Sequence, residues 1–259
     1  MLQGIELNKT FQGRGGWLSS ASQPIVAVDQ VSLELNPKET VGLVGESGSG
    51  KSTLGELLGD LQRPTSGQVC YHGQDIQSMD RESYANYRRN VQFVFQSPHT
   101  SMNPTYTIQH VLEEPLRKLT NFTEHERIEK MEAMMEQVGL PVRYLSRYPR
   151  QLSGGQCQRV AIGRALLLNP EILICDECVS ALDVSVQAQI LNLLNQLQEI
   201  YGTTYLFISH DLAAVKYISD RVLVMQHGQV VESGPTEQVL TQPEHAYTKQ
   251  LLHYHQLIH

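Results

Sequence analysis

The stretch that most narrows what this chain can become is Gly45-Glu46-Ser47-Gly48-Ser49-Gly50-Lys51-Ser52. It fits G-x-x-x-x-G-K-[ST], and its surroundings matter as much as its letters. Before it runs Thr40-Val41-Gly42-Leu43-Val44, short and apolar like a strand buried on both faces. After it, Leu54, Leu57, Leu58 and Leu61 recur at helical spacing, and Pro64 and Gly67 mark the expected end of that helix. Strand, glycine-rich turn and helix in that order let the backbone curl until several N–H groups converge, with the positive end of the helix behind them. That concavity suits the β-phosphate of a nucleoside triphosphate. Lys51 would then meet the β- and γ-phosphates as a point charge, while the Ser52 hydroxyl ligates Mg²⁺. Alone, the loop says no more than that a triphosphate is bound, which kinases, GTPases, helicases and transport ATPases all do.

The rest of the chain narrows the choice. At 259 residues it can hold one large domain or two small ones around a real core. With 41% apolar and 18% charged residues it reads as a soluble globular protein, which excludes global disorder and fibrous repeats. No apolar run approaches the roughly 18–20 residues that a bilayer span needs. The opening MLQGIELNKT lacks a basic segment followed by an apolar block, so no secretory signal is visible and a cytosolic location is expected. A net charge of -7 makes a non-specific grip on nucleic acid an unsuitable main function. Cys70, Cys157, Cys175 and Cys178 are then expected to be thiols.

Along the chain, Val31, Leu33 and Leu35 alternate as in a half-buried strand, and Asn36–Glu39 is a turn. From about 97 to 169 the pattern becomes helical. Ile108, Val111 and Leu112 share a face, and Thr123 with Glu126 reads as a capping box opening a helix with Ile128, Met131, Met134 and Val138 on one side. Gly139 and Pro141 close that helix, and the methionines are expected in the core rather than on a binding surface. Strand–helix alternation then resumes. Ile172–Cys175 is a buried strand, Val186, Ile190, Leu194 and Leu197 line a helix, and Thr204–Ser209 is the next strand of a βαβ crossover. Val222–Met225 and Gln229–Glu232 form a hairpin about His227-Gly228. One α/β core, 1–96 and 170–259, thus carries a helical insertion at 97–169.

Chemistry-bearing residues gather at the carboxyl ends of these strands, where α/β sheets bind ligands. Asp176 can organise the Mg²⁺ shell, and Glu177 can act as general base or orient a water in line with the γ-phosphate. Cys175-Asp176-Glu177-Cys178 is also a C-x-x-C, but no second ligand pair at zinc spacing accompanies it, and Cys175 completes an apolar strand, so both are read as core thiols. In Leu152-Ser153-Gly154-Gly155-Gln156, Ser153 and Gln156 cap a helix whose first N–H groups two glycines expose, a second γ-phosphate site far from Lys51 in sequence. Two chains head to tail would use both, one chain's Ser153 turn closing over the other's Lys51 loop. Gln96, after the strand Val91–Phe95, could touch Mg²⁺ or water and report the γ-phosphate to the helices. His210, after Thr204–Ser209, could donate to the γ-phosphate or hold Glu177 and the water. His245, His253, His255 and His259 have no spacing that fixes a metal geometry and are read as a solvated tail.

Taken together these motifs resemble the ATP-binding subunit of ABC transporters over nearly the whole chain. The phosphate loop is similar to Walker A, Gln96 to the Q-loop, Leu152–Gln156 to the signature, Asp176 and Glu177 to Walker B and its catalytic glutamate, Ser180-Ala181-Leu182-Asp183 to the D-loop, and His210 to the switch histidine. The resemblance implies a P-loop NTPase with a RecA-like core, an antiparallel β subdomain and a helical subdomain, and an ATP sandwich dimer that closes on ATP and opens after hydrolysis. It makes Glu177, His210 and Gln96 catalytic. It gives ATP contacts to Gly45, Ser47, Gly48, Gly50, Lys51, Ser52, Thr53, Ser153, Gly154, Gly155, Gln156 and Asp183, and Mg²⁺ contacts to Ser52, Gln96 and Asp176. Adenine would stack on an upstream aromatic, Phe11 first and Trp17 second.

A narrower resemblance, to the second ATPase of peptide and nickel importers, rests on Phe95-Gln96-Ser97-Pro98 with Ser101-Met102-Asn103-Pro104, on Val179–Leu194, and on His245-Ala246-Tyr247-Thr248-Lys249-Gln250-Leu251-Leu252. It implies ATP-driven uptake at the cytoplasmic face of a bacterial inner membrane, beneath two permeases, beside a related ATPase, with an extracytoplasmic binding protein delivering peptide or nickel complex. Soluble cassettes of translation or DNA repair, and exporter cassettes, are the competing classes. Cys178 stands where the family usually has proline and Cys157 where a basic residue follows the signature; neither removes a catalytic group. No cysteine-bearing extension follows the Tyr247 motif, so no iron–sulfur cluster is expected.

Overall fold

The computed structural model describes residues 1–12, 24–98 and 100–258. The chain divides into two compact units, Met1–Asp80 with Leu206–His259, and Arg81–Tyr205. The first begins with β1 (Leu2–Phe11), β2 (Ile25–Leu35), β3 (Thr40–Val44), α1 (Lys51–Leu58), β4 (Ser66–Tyr71) and β5 (Gln74–Asp75). The second holds α2 (Arg81–Asn90), β6 (Val91–Val94), α3 (Ile108–Leu119), α4 (Glu124–Gln137), α5 (Gly154–Leu166), β7 (Ile172–Asp176) and α6 (Val184–Tyr201). The chain passes back within β8 (Thr204–Ile208), and α7 (Leu212–Ile218), β9 (Arg221–Gln226), β10 (Gln229–Pro235), α8 (Thr236–Thr241) and α9 (Ala246–Ile258) complete the first unit.

The first unit contains an antiparallel sheet in the order β2-β1-β4-β5. Its register, Leu2 opposite Leu35 and Gly4 opposite Leu33, puts Val31, Leu33 and Leu35 on the buried face, as their alternation predicts, with Leu2 beside them. In the same unit β3 lies parallel to β9, Val41 opposite Arg221 through Val44 opposite Val224, and β9 turns back antiparallel into β10. All five residues of β3 are buried, which only an apolar strand covered on both faces tolerates. Leu54, Leu57 and Leu58 of α1 are buried, but Leu61 is not part of their stripe. The helix stops at Leu58, where the Gly59 N–H closes on the last carbonyls and Asp60 turns to φ 51°, so Leu61 is 40% exposed.

In the second unit β6 and β7 run parallel, Val91 opposite Ile172 through Val94 opposite Cys175. The Thr204 N–H donates to the Glu171 carbonyl at 2.8 Å where β8 begins. The capping box at α4 is present in both directions, Thr123 receiving the Glu126 N–H and Glu126 receiving the Thr123 N–H. Met131, Met134, Met135 and Val138 are buried; Ile128 is half-buried at the edge of that stripe. The Arg159 guanidinium donates to the Val138 carbonyl at 2.8 Å and so satisfies the end of α4 from α5. On α6 the buried residues are Ile190, Leu191, Leu193, Leu194 and Leu197, with Val186 half-buried. Among the described residues no helix is long and apolar enough to cross a membrane.

Replacing Met134 by Ala removes a buried side chain that packs beside Gly163 of α5, and should lower stability by about 2–4 kcal/mol. Glu132→Ala, on the exposed side of the same helix, should change it by less than about 0.5 kcal/mol in the same denaturant titration.

Candidate functional site

The phosphate loop of the first unit is built on backbone that few residues accept. Gly45, Gly48 and Gly50 have φ of 151°, 81° and 105°. Gly50 is the decisive one: it caps α1 in the left-handed region, and a Cβ there would stand 2.0 Å from the Ala27 carbonyl oxygen. From it the helix starts directly, Leu54 N–H to Gly50 carbonyl at 2.9 Å. The loop is tied at Ser49, whose N–H donates to the Glu46 carbonyl at 3.2 Å and whose carbonyl receives the Gly228 N–H at 2.9 Å from the β9–β10 turn. Lys51 is 4% exposed, and its Nζ donates to the Gly45 and Glu46 carbonyls at 2.8 Å each. Ser47, Gly48 and Ser52 are exposed and Thr53 half-buried. A buried ammonium thus sits under an exposed glycine–serine turn at a helix N-terminus, the arrangement an oligophosphate needs.

Elsewhere in this unit Phe11 ends β1, 38% exposed, with the Lys9 ammonium 5.3 Å from its ring centroid. Trp17, the second candidate for adenine, lies outside the described residues. His210 is exposed two residues beyond the end of β8, and Asp211 beside it caps α7 by accepting from the Ala213 and Ala214 N–H groups at 2.8 and 3.2 Å. His245 takes part in the start of α9, its Nδ1 receiving the Tyr247 N–H at 3.2 Å. His253 is exposed; His259 lies outside the described residues, as does the side chain of His255. Among the described residues no group of His, Cys, Asp and Glu is arranged to hold a metal ion.

The second unit carries the acids. Asp176 is the last residue of β7, half-buried, and Glu177 follows at φ 46°, a left-handed kink that Ser180 supports by donating N–H and Oγ to the Glu177 carbonyl at 3.2 and 2.9 Å. The structure brings two predicted residues together here: the Gln96 amide nitrogen donates to Glu177 Oε2 at 2.9 Å. Cys175 and Cys178 flank the acids, both buried; the hydrogen bond with Cys178 and burial hold the Cys175 thiol well above its usual range.

The Ser153 turn is a complete capping box, Ser153 Oγ accepting from the Gln156 N–H at 3.3 Å and Gln156 Oε1 from the Ser153 N–H at 3.1 Å. Its two glycines differ. A Cβ on Gly155 would lie 2.5 Å from Val186 Cγ1 of α6, so close packing already demands glycine there, whereas one on Gly154 would meet Leu182 at an ordinary 3.6 Å. Asp183 caps α6, accepting from the Ser185 hydroxyl at 2.6 Å and the Val186 N–H at 3.0 Å, and the Ser185 bond is the first cause of its lowered pKa. Cys157, buried one turn into α5 against the Pro149 carbonyl, has its thiol pushed by burial up to about 11.

A sequence profile of the ABC transporter family matches residues 28–180. The chain belongs to that family. It is 47% identical over 252 residues to the dipeptide transport ATP-binding protein DppF of Haemophilus influenzae, covering 97% of this chain and 77% of that one. It is 46% identical over 248 residues to the oligopeptide transport ATP-binding protein AppF of Bacillus subtilis, covering 95% and 75%. Among solved structures, the dimeric post-hydrolysis ATP-binding cassette MJ0796 bound to ADP and Pi superposes with a TM-score of 0.79 at 30% identity, over 91% of this chain and 99% of that one. CbiO1 of Clostridium perfringens, part of the transporter complex cbiONQ, gives 0.77 at 25%, over 99% and 98%. The fold is therefore that of an ABC ATPase cassette, a P-loop NTPase.

Sequence reasoning missed two kinds of residue in this cassette. Ala27, Met225 and Gly228 wall the phosphate loop with backbone atoms, which no side-chain pattern announces. Tyr247 donates nothing to the motif logic, yet its hydroxyl receives the Glu46 N–H at 3.0 Å; the one signal was the stretch around it.

All four cysteines are buried free thiols. A disulfide reagent at pH 8 should therefore modify the native protein at less than about a tenth of the rate at which it modifies the four thiols after denaturation. For Cys157 the thiolate fraction should keep rising tenfold per pH unit toward about 11, so rapid native labelling with a plateau near pH 9 would contradict its burial.

Proposed function

We propose that this chain binds and hydrolyses ATP to drive the import of short peptides through partner permeases. The observation that carries the reading is the buried Lys51 beneath the exposed Ser47-Gly48 turn, in a cassette whose relatives are named for dipeptide and oligopeptide transport. Those names favour peptides over the nickel complexes that the sequence also allowed, and over ribosomal, repair or exporter cassettes.

In this reading the N–H groups from Ser47 to Thr53 cradle the phosphates and Lys51 exchanges its loop carbonyls for β- and γ-phosphate oxygens. Ser52, Gln96 and Asp176 present oxygen atoms, the donor chemistry magnesium takes. When bound, the ion would neutralise charge between the β- and γ-phosphates. Glu177, oriented by the Gln96 amide, takes the proton of the attacking water or aligns it, and His210 steadies the γ-phosphate. Phe11 offers its exposed face to adenine. Ser153, Gly154, Gly155 and Gln156 serve the nucleotide of a facing cassette, and Asp183 sits beside them in the dimer. The MJ0796 cassette's dimeric, ADP-bound form supports that arrangement. Residues 97–169 form the helical subdomain that passes the state of Gln96 to the permeases, and the rest the catalytic core. The facing ATPase is a related, different chain, an extracytoplasmic binding protein delivers the peptide, and the cassette is held peripherally at the cytoplasmic face of the inner membrane.

Glu177→Gln keeps the hydrogen-bond geometry and removes the base. ATP binding should persist, turnover should fall by about a hundredfold or more, and ATP should trap the closed dimer in size-exclusion chromatography. Turnover equal to wild type would reject the role given to Glu177.

A further inference from the structure

We infer that Tyr247 is a positioning residue for the phosphate loop, its hydroxyl fixing the peptide group on which the seat of Lys51 depends. The inference rests on the ATPase reading above. Glu46 is held on both sides of its Cα: its N–H, in the Gly45–Glu46 peptide, donates to Tyr247 Oη at 3.0 Å, and its carbonyl, in the next peptide, receives the Ser49 N–H at 3.2 Å and Lys51 Nζ at 2.8 Å. The preceding carbonyl, Gly45, is the other acceptor of Lys51. Rotation of the Gly45–Glu46 peptide plane would therefore move the lysine as well as the turn. Gly45, at φ 151°, cannot by itself prevent that rotation, because glycine has broad access to such backbone.

The tyrosine is placed for this task from the far end of the sequence, 201 residues away. Glu232 of β10 receives the Glu244 and His245 N–H groups at 2.8 and 3.1 Å, which fixes the chain entering α9. His245 Nδ1 then takes the Tyr247 N–H, and Tyr247 itself is 6% exposed, with Leu251 one turn on also buried. The ring is thus packed and its backbone pinned, so the hydroxyl is delivered with little freedom left to lose. Burial raises the phenol's pKa, which keeps the neutral hydroxyl as acceptor through physiological pH. The stretch His245–Leu252 acquires a physical purpose: it carries the third wall of the nucleotide loop.

Tyr247→Phe deletes one oxygen and keeps the ring. A net hydrogen bond of ordinary strength predicts that KM for ATP and Kd for ADP rise together by about three- to tenfold while kcat stays within about twofold. The Glu46 amide should exchange with solvent at least about tenfold faster, with the amides of β3 unchanged. A residue that merely packs would leave the KM-to-kcat balance and the Glu46 amide as they are in wild type, so that result overturns the inference. Tyr247→Trp, which keeps an aromatic ring but offers only an N–H donor and no acceptor, should not restore affinity. Wild-type protein that fails to bind ATP would refute the ATPase reading and this inference with it; wild-type binding with an unaffected Phe variant refutes the inference alone.

Discussion

A cation buried beneath a turn of exposed backbone is the constraint around which the rest is arranged. An ammonium taken from water needs oxygen atoms at hydrogen-bonding distance, and Lys51 finds them in the Gly45 and Glu46 carbonyls. Those carbonyls can face inward because Gly45, Gly48 and Gly50 take up positive-φ backbone, and at Gly45 and Gly50 a Cβ would also collide with the Met225 and Ala27 carbonyl oxygens. The loop can be that taut because it leaves β3, all of whose residues are buried, and because the β9–β10 turn holds Ser49. Core packing thus becomes electrostatics: a rigid strand end converts glycine freedom into one fixed arrangement of carbonyl acceptors around one positive charge.

The second unit applies the same device to negative charge. Its strand β7 ends in Asp176, and the chain immediately kinks left-handed at Glu177, an uncommon place for a residue with a side chain. The kink is held by Ser180, and the carboxylate by Gln96. Strain at an acid whose orientation is fixed by a neighbouring amide fits the role proposed for Glu177. Gln96 was read from the sequence as a contact for metal or water; the hydrogen bond to Glu177 gives it a partner within the protein as well. The cysteines at 175, 178 and 157 fill apolar space around this unit, and Cys157 and Cys178 are accommodated without disturbing the Ser153 cap or the Gln96–Glu177 bond.

What could be read in advance follows from the range of the physics involved. The phosphate loop, the Thr123 and Ser153 capping boxes, the buried run of β7 and the β9–β10 hairpin are settled within a few residues, so spacing and residue type suffice. Leu61 misled because periodicity continues past a helix that Gly59 has already ended. The glycines at 154 and 155 looked alike, but one answers to Val186 on a separate helix and the other does not. Contacts across long sequence separation were beyond reach altogether: nothing near Glu46 announces Tyr247, and nothing near Gly50 announces the Ala27 carbonyl. Local chemistry was legible; the walls that hold it were not.

Calorimetric titration of ATP into the purified wild type and Lys51→Ala, under conditions where both are folded, tests the central claim most directly. The account predicts binding to the wild type and a loss of at least about thirtyfold in affinity when the buried ammonium is removed. Equal affinity in the two proteins would mean that the triphosphate is held somewhere other than beneath this turn.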